Sequence, residues 1–362
     1  MSNSSPAADV SPGQTLCIIN FNGKNVLPMA LAAAYPLRDR FVEILVVDNG
    51  SSDGSPEEAE RDFPGVRVHR LPVNLGAGGA RNAGLREART DRILFIDNDV
   101  SLTARCIDKL REAMDGNPRA GLAAAAVIYA HQRDTMQYDG AECHFLGAQT
   151  LLDEDVPVTA VDTRIRKVGS IVTCCFLADR SRLPPDETFD ESFFYMFEDH
   201  DFGTRLRALG VEVLSVPEAW CYHGKGTEGL SIRQLGEYSS RRVYYLIRNR
   251  WLFVFKNFSG RTLLVLAPLF LFYETAQLLV AAKKGWLREW WRSVVWIVEN
   301  RSSIRHERRR IQSRRVVADR DILVGGRLPF RQELTSSWIE RFARRVLDGV
   351  TRSYWAVAGK LI

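Results

Sequence analysis

From residue 14 onward, short apolar runs alternate with amphipathic stretches, the pattern of an α/β fold. The apolar runs are Leu16–Ile19, Glu43–Val47, Val66–Arg70, Ile93–Ile96 and Leu122–Ile128. Between them, Asn25–Ala34, Ser55–Asp62, Ala77–Ala88 and Thr103–Met114 carry helical composition and spacing. Four strand–helix pairs inside the first 115 residues predict a mostly parallel sheet flanked by helices. Periodicity is poor from about 130 to 170, which predicts an irregular, partly extended excursion. A helix over Phe202–Leu209, stopped by Gly210, and a short strand over Val211–Val216 follow.

In such a sheet, ligands bind at the carboxyl ends of the strands, so the polar residues after each apolar run define the expected site. Asn20 and Asn22 follow the first run, and the loop from Asp48 through Ser51 and Asp53 to Gly54 follows the second. Asn74-Leu75-Gly76-Ala77-Gly78-Gly79-Ala80-Arg81 follows the third, and Asp97-Asn98-Asp99 the fourth. Asp97 and Asp99 set two carboxylates at one strand end. Asp99 suits a divalent cation bridging a diphosphate, because hard cations take oxygen ligands and keep positions for phosphate and water. The competing reading is a cap for the helix that starts near Thr103.

Gly76–Arg81 departs from a dinucleotide fingerprint, since Arg81 stands where the last glycine belongs. A helix N-terminus carrying an arginine still suits phosphate. Glu198-Asp199-His200-Asp201 reads either as the acidic first turn of the next helix or as a carboxylate that takes a proton from a hydroxyl. His223, taken alone, reads as a structural histidine.

Charge divides the 362 residues. Residues 1–240 carry 24 basic and 35 acidic side chains, whereas 241–362 carry 25 and 9, and seven of the eight Trp lie from Trp251 to Trp355. With 46% hydrophobic and 26% charged residues, the composition excludes a disordered or collagen-like chain and a polytopic membrane protein. The six Cys, at 17, 106, 143, 174, 175 and 221, form no C-x-x-C pair. Met1 to Gln14 has neither a basic start nor an apolar core, so no secretory signal and reduced cytoplasmic thiols are expected.

The basic third holds an apolar segment, residues 263–282, with 16 apolar positions of 20, interrupted by Pro268, Glu274, Thr275 and Gln277. Its length would span a bilayer, but a charge in mid-segment and basic residues at both ends favour a re-entrant or in-plane placement. Trp286, Trp290, Trp291 and Trp296, eight Arg within 301–320, and the stripe Trp338, Phe342, Val346, Val350 beside Arg341, Arg344, Arg345 and Arg352 are marks of helices on an anionic membrane surface. A helical cap on the rest of the chain is the plainer alternative. No zinc knuckle, helix-turn-helix or RNA-binding aromatic signature supports nucleic acid as the partner.

Asn20-Phe21-Asn22-Gly23, the run from Val46 to Asp53, Asn74-x-Gly76 with Asn82-x-Gly84, Asp97-x-Asp99, Phe189-Asp190-Glu191 with Glu198-Asp199-x-Asp201, and then His223 occur in one order. Over about residues 14–250 this set resembles the family 2 inverting glycosyltransferases of the GT-A fold, and within them bacterial rhamnosyltransferase-like enzymes of cell-surface glycan synthesis. The resemblance implies a Rossmann-like nucleotide-sugar half over 14–100, an acceptor half over 101–240, and a helical, membrane-associating region over 241–362 behind a disordered tail at 1–13. It implies nucleotide-sugar contacts from Asn20, Asp48, Arg81, Asp97 and Asp99, with Asp48 at the base and Asp97 near the ribose. It makes Asp99 and His223 ligands of Mg or Mn, Asp199 the catalytic base, and Glu198 an acceptor-positioning group.

The expected reaction is transfer of a hexose, rhamnose from dTDP-rhamnose, to a lipid-linked or cell-surface glycan at the cytoplasmic face of the bacterial inner membrane. Cys174-Cys175-Phe176 stands where such enzymes usually carry small residues beneath the acceptor. The lack of a Q-x-x-R-W motif after Asp199 argues against a processive synthase. A nucleotidyltransferase on a similar fold and a non-catalytic glycan-assembly protein are the alternatives.

Overall fold

The computed structural model describes residues 13–224, 239–326, 328 and 338–362, so nearly all of the expected N-terminal tail lies outside the described residues. The first half builds β1 (Gln14–Asn20), α1 (Leu27–Ala34), β2 (Glu43–Asp48), α2 (Ser55–Asp62), β3 (Arg67–Arg70), α3 (Gly76–Glu87) and β4 (Arg92–Asp97). A two-residue β5 (Val100–Ser101), α4 (Ala104–Asp115) and β6 (Ala120–Tyr129) follow. The excursion is more ordered than its sequence suggests, with β7 (Gln132–Tyr138), β8 (Gly140–His144), β9 (Gln149–Leu152) and β10 (Arg166–Lys167). The chain then forms β11 (Cys175–Asp179), α5 (Glu198–Ala208) and β12 (Glu212–His223). The basic third supplies α6 (Ser240–Asn257), α7 (Gly260–Lys284), α8 (Leu287–Glu299), α9 (Arg301–Arg314), β13 (Leu323–Val324) and α10 (Trp338–Ala358).

The main sheet runs β10-β12-β6-β11-β4-β1-β2-β3. Strands β1 to β4 are parallel to one another, but β11 enters antiparallel between β4 and β6, so the sheet is mixed rather than mostly parallel. The reason is chain path: the excursion returns the chain to the sheet from the opposite end. Side chains alternate across β1, β2 and β4. Leu16, Ile18, Val46 and Leu94 pack under α1, α2 and α4, while Cys17, Leu45, Val47 and Phe95 pack under α3 and α5. Gly84 lets α3 sit close, since a Cβ there would meet Cys17 Sγ and Phe95 Cε1 at 2.7 Å.

A third core joins the basic third to the rest of the chain through Phe145, Phe193, Leu252, Phe253, Phe258 and Leu269. Many of its arginines turn inward rather than toward a membrane. Arg308 donates to the carbonyls of Phe255 and Phe258 at 2.6 Å, Arg310 and Arg314 pair with Glu187, and Arg315 pairs with Asp319. These helix-end carbonyls and buried acids need cationic donors, so half of the arginines in 301–320 serve packing. Helix α7 runs unbroken through Pro268, without the turn that a re-entrant segment requires. Glu274 is not an unpaired charge in an apolar stretch, because Arg250 and Trp251 of α6 bind its carboxylate.

Candidate active site

Parallel register brings three strand ends to one edge. Asn20 lies opposite Asp48, and Ile19 opposite Asp97. Asn20 Nδ2 donates to Asp48 Oδ1 and Ser55 Oγ, each at 2.9 Å, and Asn20 Oδ1 accepts from Asn98 at 2.9 Å. Asp48 is buried and also accepts the Ser51 amide at 3.0 Å and its hydroxyl at 2.5 Å, which fixes the 48–54 loop. Asn49 ties that loop to the next one by donating to Gly76 O at 3.1 Å and accepting from Leu75 N at 2.9 Å. The loops after β1, β2 and β3 are therefore one hydrogen-bonded unit.

Asp99 does not cap α4. Thr103 does, its hydroxyl accepting from Cys106 N at 3.0 Å. Asp99 instead meets His223, because β12 continues past Pro217 and pairs with β5, setting Val100 opposite His223. The expected strand over Val211–Val216 is therefore longer, with a register shift between Val216 and Trp220 absorbing the proline. Asp99 Oδ2 and His223 Nε2 stand 3.1 Å apart, both largely buried. Gln137 Oε1 accepts from His223 Nδ1 at 3.2 Å, an arrangement that orients the ring and leaves Nε2 toward the carboxylate. Two such groups fit a shared divalent cation. Among the described residues no group of three His, Cys, Asp or Glu forms a protein-only metal cage, so such a cation would take further oxygens from elsewhere.

Arg81, expected on the nucleotide-sugar side, lies among acids at the strand ends. Its buried guanidinium donates to Asp97 Oδ1 at 2.7 Å and Thr173 O at 3.0 Å, and lies 3.7 Å from Glu198 Oε1. Burial alone would make such a cation costly, and these acids hold it charged. Helix α5 begins at Glu198, four residues before Phe202, so Glu198 and Asp199 do form the acidic first turn that one reading of the run gave. Burial pushes Glu198 up to about 7, helped by the Asp199 charge and opposed by Arg81. Burial likewise pushes Asp199 up to about 6, against the His200 amide, which donates to it at 2.7 Å, and Arg81. A half-buried carboxylate with an affinity for protons near neutrality is equipped to act as a general base.

Asp201, two residues on, points away into a buried cluster with Lys256, Arg205 and Asn257. The sequence reading missed Gln137, Thr173 and the pair Arg248-Asn249, which binds the loop before α5. A signal existed for the pair: three consecutive polar residues, Arg248-Asn249-Arg250, sit inside the apolar-faced α6 and are all buried.

Residues 15–175 match the family described as Glycosyl transferase family 2. The chain is 29% identical over 216 residues to an N-acetylglucosaminyl-diphospho-decaprenol L-rhamnosyltransferase of Mycobacterium tuberculosis, covering 54% of this chain and 70% of that protein. It is 25% identical over 254 residues to the dTDP-rhamnosyl transferase RfbF of Shigella flexneri, covering 69% and 82%. Among solved structures, GalNAc-T7 with UDP, GalNAc and Mn2+ aligns with a TM-score of 0.55 at 15% identity. That alignment covers 70% of this chain and 49% of that one, so the chain spans about half the length of that structure. The likeness is one of fold: α/β, GT-A-like, with a curled mixed sheet.

Proposed function

We propose that this chain, which carries a glycosyl transferase family 2 domain and resembles bacterial rhamnosyltransferases, is an inverting enzyme. It moves a hexose, rhamnose from dTDP-rhamnose, onto a lipid-linked or cell-surface glycan. The observation that carries the reading is the Glu198–Arg81–Asp97 chain of charge, which ties the acidic turn of α5 to the strand-end loops. Asp199 takes the proton of the acceptor hydroxyl while that oxygen attacks the anomeric carbon. The bond to the diphosphate breaks on the opposite face, and the nucleoside diphosphate leaves. Arg81 acts through its neighbours, holding Asp97 and Glu198 in place. Asp99 and His223 would hold a divalent cation, which supplies positive charge for the leaving diphosphate when bound.

Asp99→Ala is expected to weaken binding of the nucleotide sugar and of Mn by about 10–100-fold or more, read by calorimetry. Unchanged affinity would remove the metal assignment. The overall reading is tested by a thermal-shift panel of nucleotide sugars, in which a true donor raises the midpoint as RT ln(1+[L]/Kd) requires. A turnover assay on the stabilising donor follows. Release of inorganic diphosphate from a nucleoside triphosphate would favour a nucleotidyltransferase, and no turnover with any donor a non-catalytic role.

The same proposal includes a peripheral seat on the cytoplasmic face of the membrane. Leu264, Leu271 and Leu279 on α7 and Trp338, Phe342 and Val346 on α10 are exposed, and Tyr354 Oη donates to Val265 O at 2.7 Å to join the two helices. Exposed Arg261, Lys284, Arg345 and Arg352 flank these stripes and suit anionic headgroups. Full-length protein should sediment with anionic vesicles, less so as salt rises. Trp338→Asp with Phe342→Asp should cut that binding at least about tenfold, since apolar burial supplies roughly 25 cal/mol per Å². Binding that ignores both salt and these changes would refute the placement.

A further inference from the structure

The segment just before Glu198 is held in a backbone conformation that its residues disfavour. Phe194, Met196 and Phe197 have φ values of 57°, 67° and 74°, and none is glycine. Such backbone persists only where surrounding contacts over-determine it. Two sets of contacts do so. On one side, Gly76 of the strand-end loops presses against the segment so closely that a Cβ there would lie 2.2 Å from Phe194 O. On the other, Asn249 of α6, fully buried, donates through Nδ2 to the carbonyls of Phe193 at 3.0 Å, Tyr195 at 2.8 Å and Met196 at 2.7 Å. Arg248 donates to the carbonyls of Ser192 at 2.7 Å and Phe193 at 2.8 Å. Its Nε also donates to Asn249 Oδ1 at 2.7 Å, which aims the amide's NH2 end at the segment.

We infer that Asn249, with its amide oriented by Arg248, is a positioning residue for the Asp199 base: it fixes the strained turn that starts α5 and so sets where the carboxylate meets the acceptor hydroxyl. The inference rests on the proposed glycosyl transfer. Its geometry gives the basic third of the chain a part in the chemistry, because α6 fastens the turn while α7 and α10 are proposed to face lipid. A displacement of about 1 Å in a reacting group can cost on the order of 10²-fold in rate, so a clamp of this kind is felt in turnover before binding.

The test compares full-length wild type with Asn249→Ala, Asn249→Asp and Ser293→Ala. Ser293 is a buried contact on another helix, with its hydroxyl donating to Tyr244 O of α6 at 3.1 Å, and it reports loss of packing alone. Asn249→Ala is expected to lower kcat about 10²-fold, with KM for the nucleotide sugar within about threefold and a displaced acid limb of the pH–rate profile. Asn249→Asp, equal in size but with an oxygen facing the carbonyls, should be at least as impaired. Ser293→Ala should keep kcat within about twofold even where its unfolding midpoint falls by as much. An Asn249→Ala protein that is folded and turns over within threefold of wild type overturns the inference, as does a kcat loss that follows the midpoint equally in Ser293→Ala.

If both Asn249 variants fail to fold, Arg248→Lys is read in the same way, since it keeps the charge but loses the forked donation. Hydrogen exchange at residues 193–199 supplies a readout without turnover. Faster exchange there in Asn249→Ala, with unchanged exchange in β1 and β2, supports the clamp, and unchanged exchange overturns it. An inactive wild type would thus count against the proposed reaction while the clamp is still decided.

Discussion

Asp199→Asn is expected to lower kcat by ~10²–10⁴-fold while leaving affinity for the nucleotide sugar within about threefold. The change keeps the size of the side chain and removes only its capacity to take a proton. Burial raises the proton affinity of both Glu198 and Asp199, to about 7 and about 6, and the two acids titrate as a pair. Wild-type kcat/KM should therefore climb as pH rises through about 6 to 7, because the base works only when deprotonated. That limb should vanish from the residual activity of Asp199→Asn. The stability sign is the reverse. A carboxyl whose folded affinity for protons exceeds its unfolded one favours folding fully below the unfolded value near 4, and that favour is lost as pH rises through the folded values. At pH 8, Asp199→Asn should then unfold at a denaturant concentration no lower than wild type. A variant that turns over like wild type would move the role of base to Glu198.

Asp201→Asn is expected to cost about 3–5 kcal/mol of folding free energy, the range for removing one partner of a buried ion pair. The neighbouring position in sequence suggests an innocuous control for Asp199, and its surroundings contradict this. Asp201 is wholly buried, with Arg205 Nη2 at 3.1 Å, Lys256 Nζ at 3.2 Å and Asn257 Nδ2 at 2.7 Å around its two oxygens. Burial would raise its proton affinity, but Lys256 and Arg205 outweigh that and hold it below the usual carboxylate range. Its contribution is present at neutral pH and is lost as pH falls through that depressed value. A loss of this size is a large share of a typical domain stability of about 5–15 kcal/mol. Lys256 also pairs with Asp190 and Arg205 with Glu187, so a midpoint within error of wild type in urea unfolding would mean that these acids alone satisfy the two cations.

What was legible in the sequence was local. Strands β1 to β4 and helices α1 to α4 follow from runs and turns a few residues long, and their parallel order forces Asn20, Asp48 and Asp97 to one edge. His223 was legible only through the resemblance, since its approach to Asp99 depends on β12 continuing beyond a proline that reads as a stop. The start of α5 at Glu198 was legible as an acidic first turn, but its N-cap was not, because Phe197 takes a left-handed conformation that no phenylalanine advertises. The bridge that Arg81 makes between Asp97 and Glu198 was not legible, because these acids meet it only after the sheet and α5 assemble. The basic third read as a surface because arginine content does not tell which guanidinium groups turn inward. Arg248, Arg308 and Arg315 bind backbone carbonyls made available by distant elements.

The configuration of the transferred sugar tests the central claim most directly. Proton NMR of the glycoside product should give an anomeric centre opposite to that of the donor, formed by wild type and ~10²–10⁴-fold more slowly by Asp199→Asn. A product that keeps the donor's configuration would contradict a single displacement with Asp199 as its base.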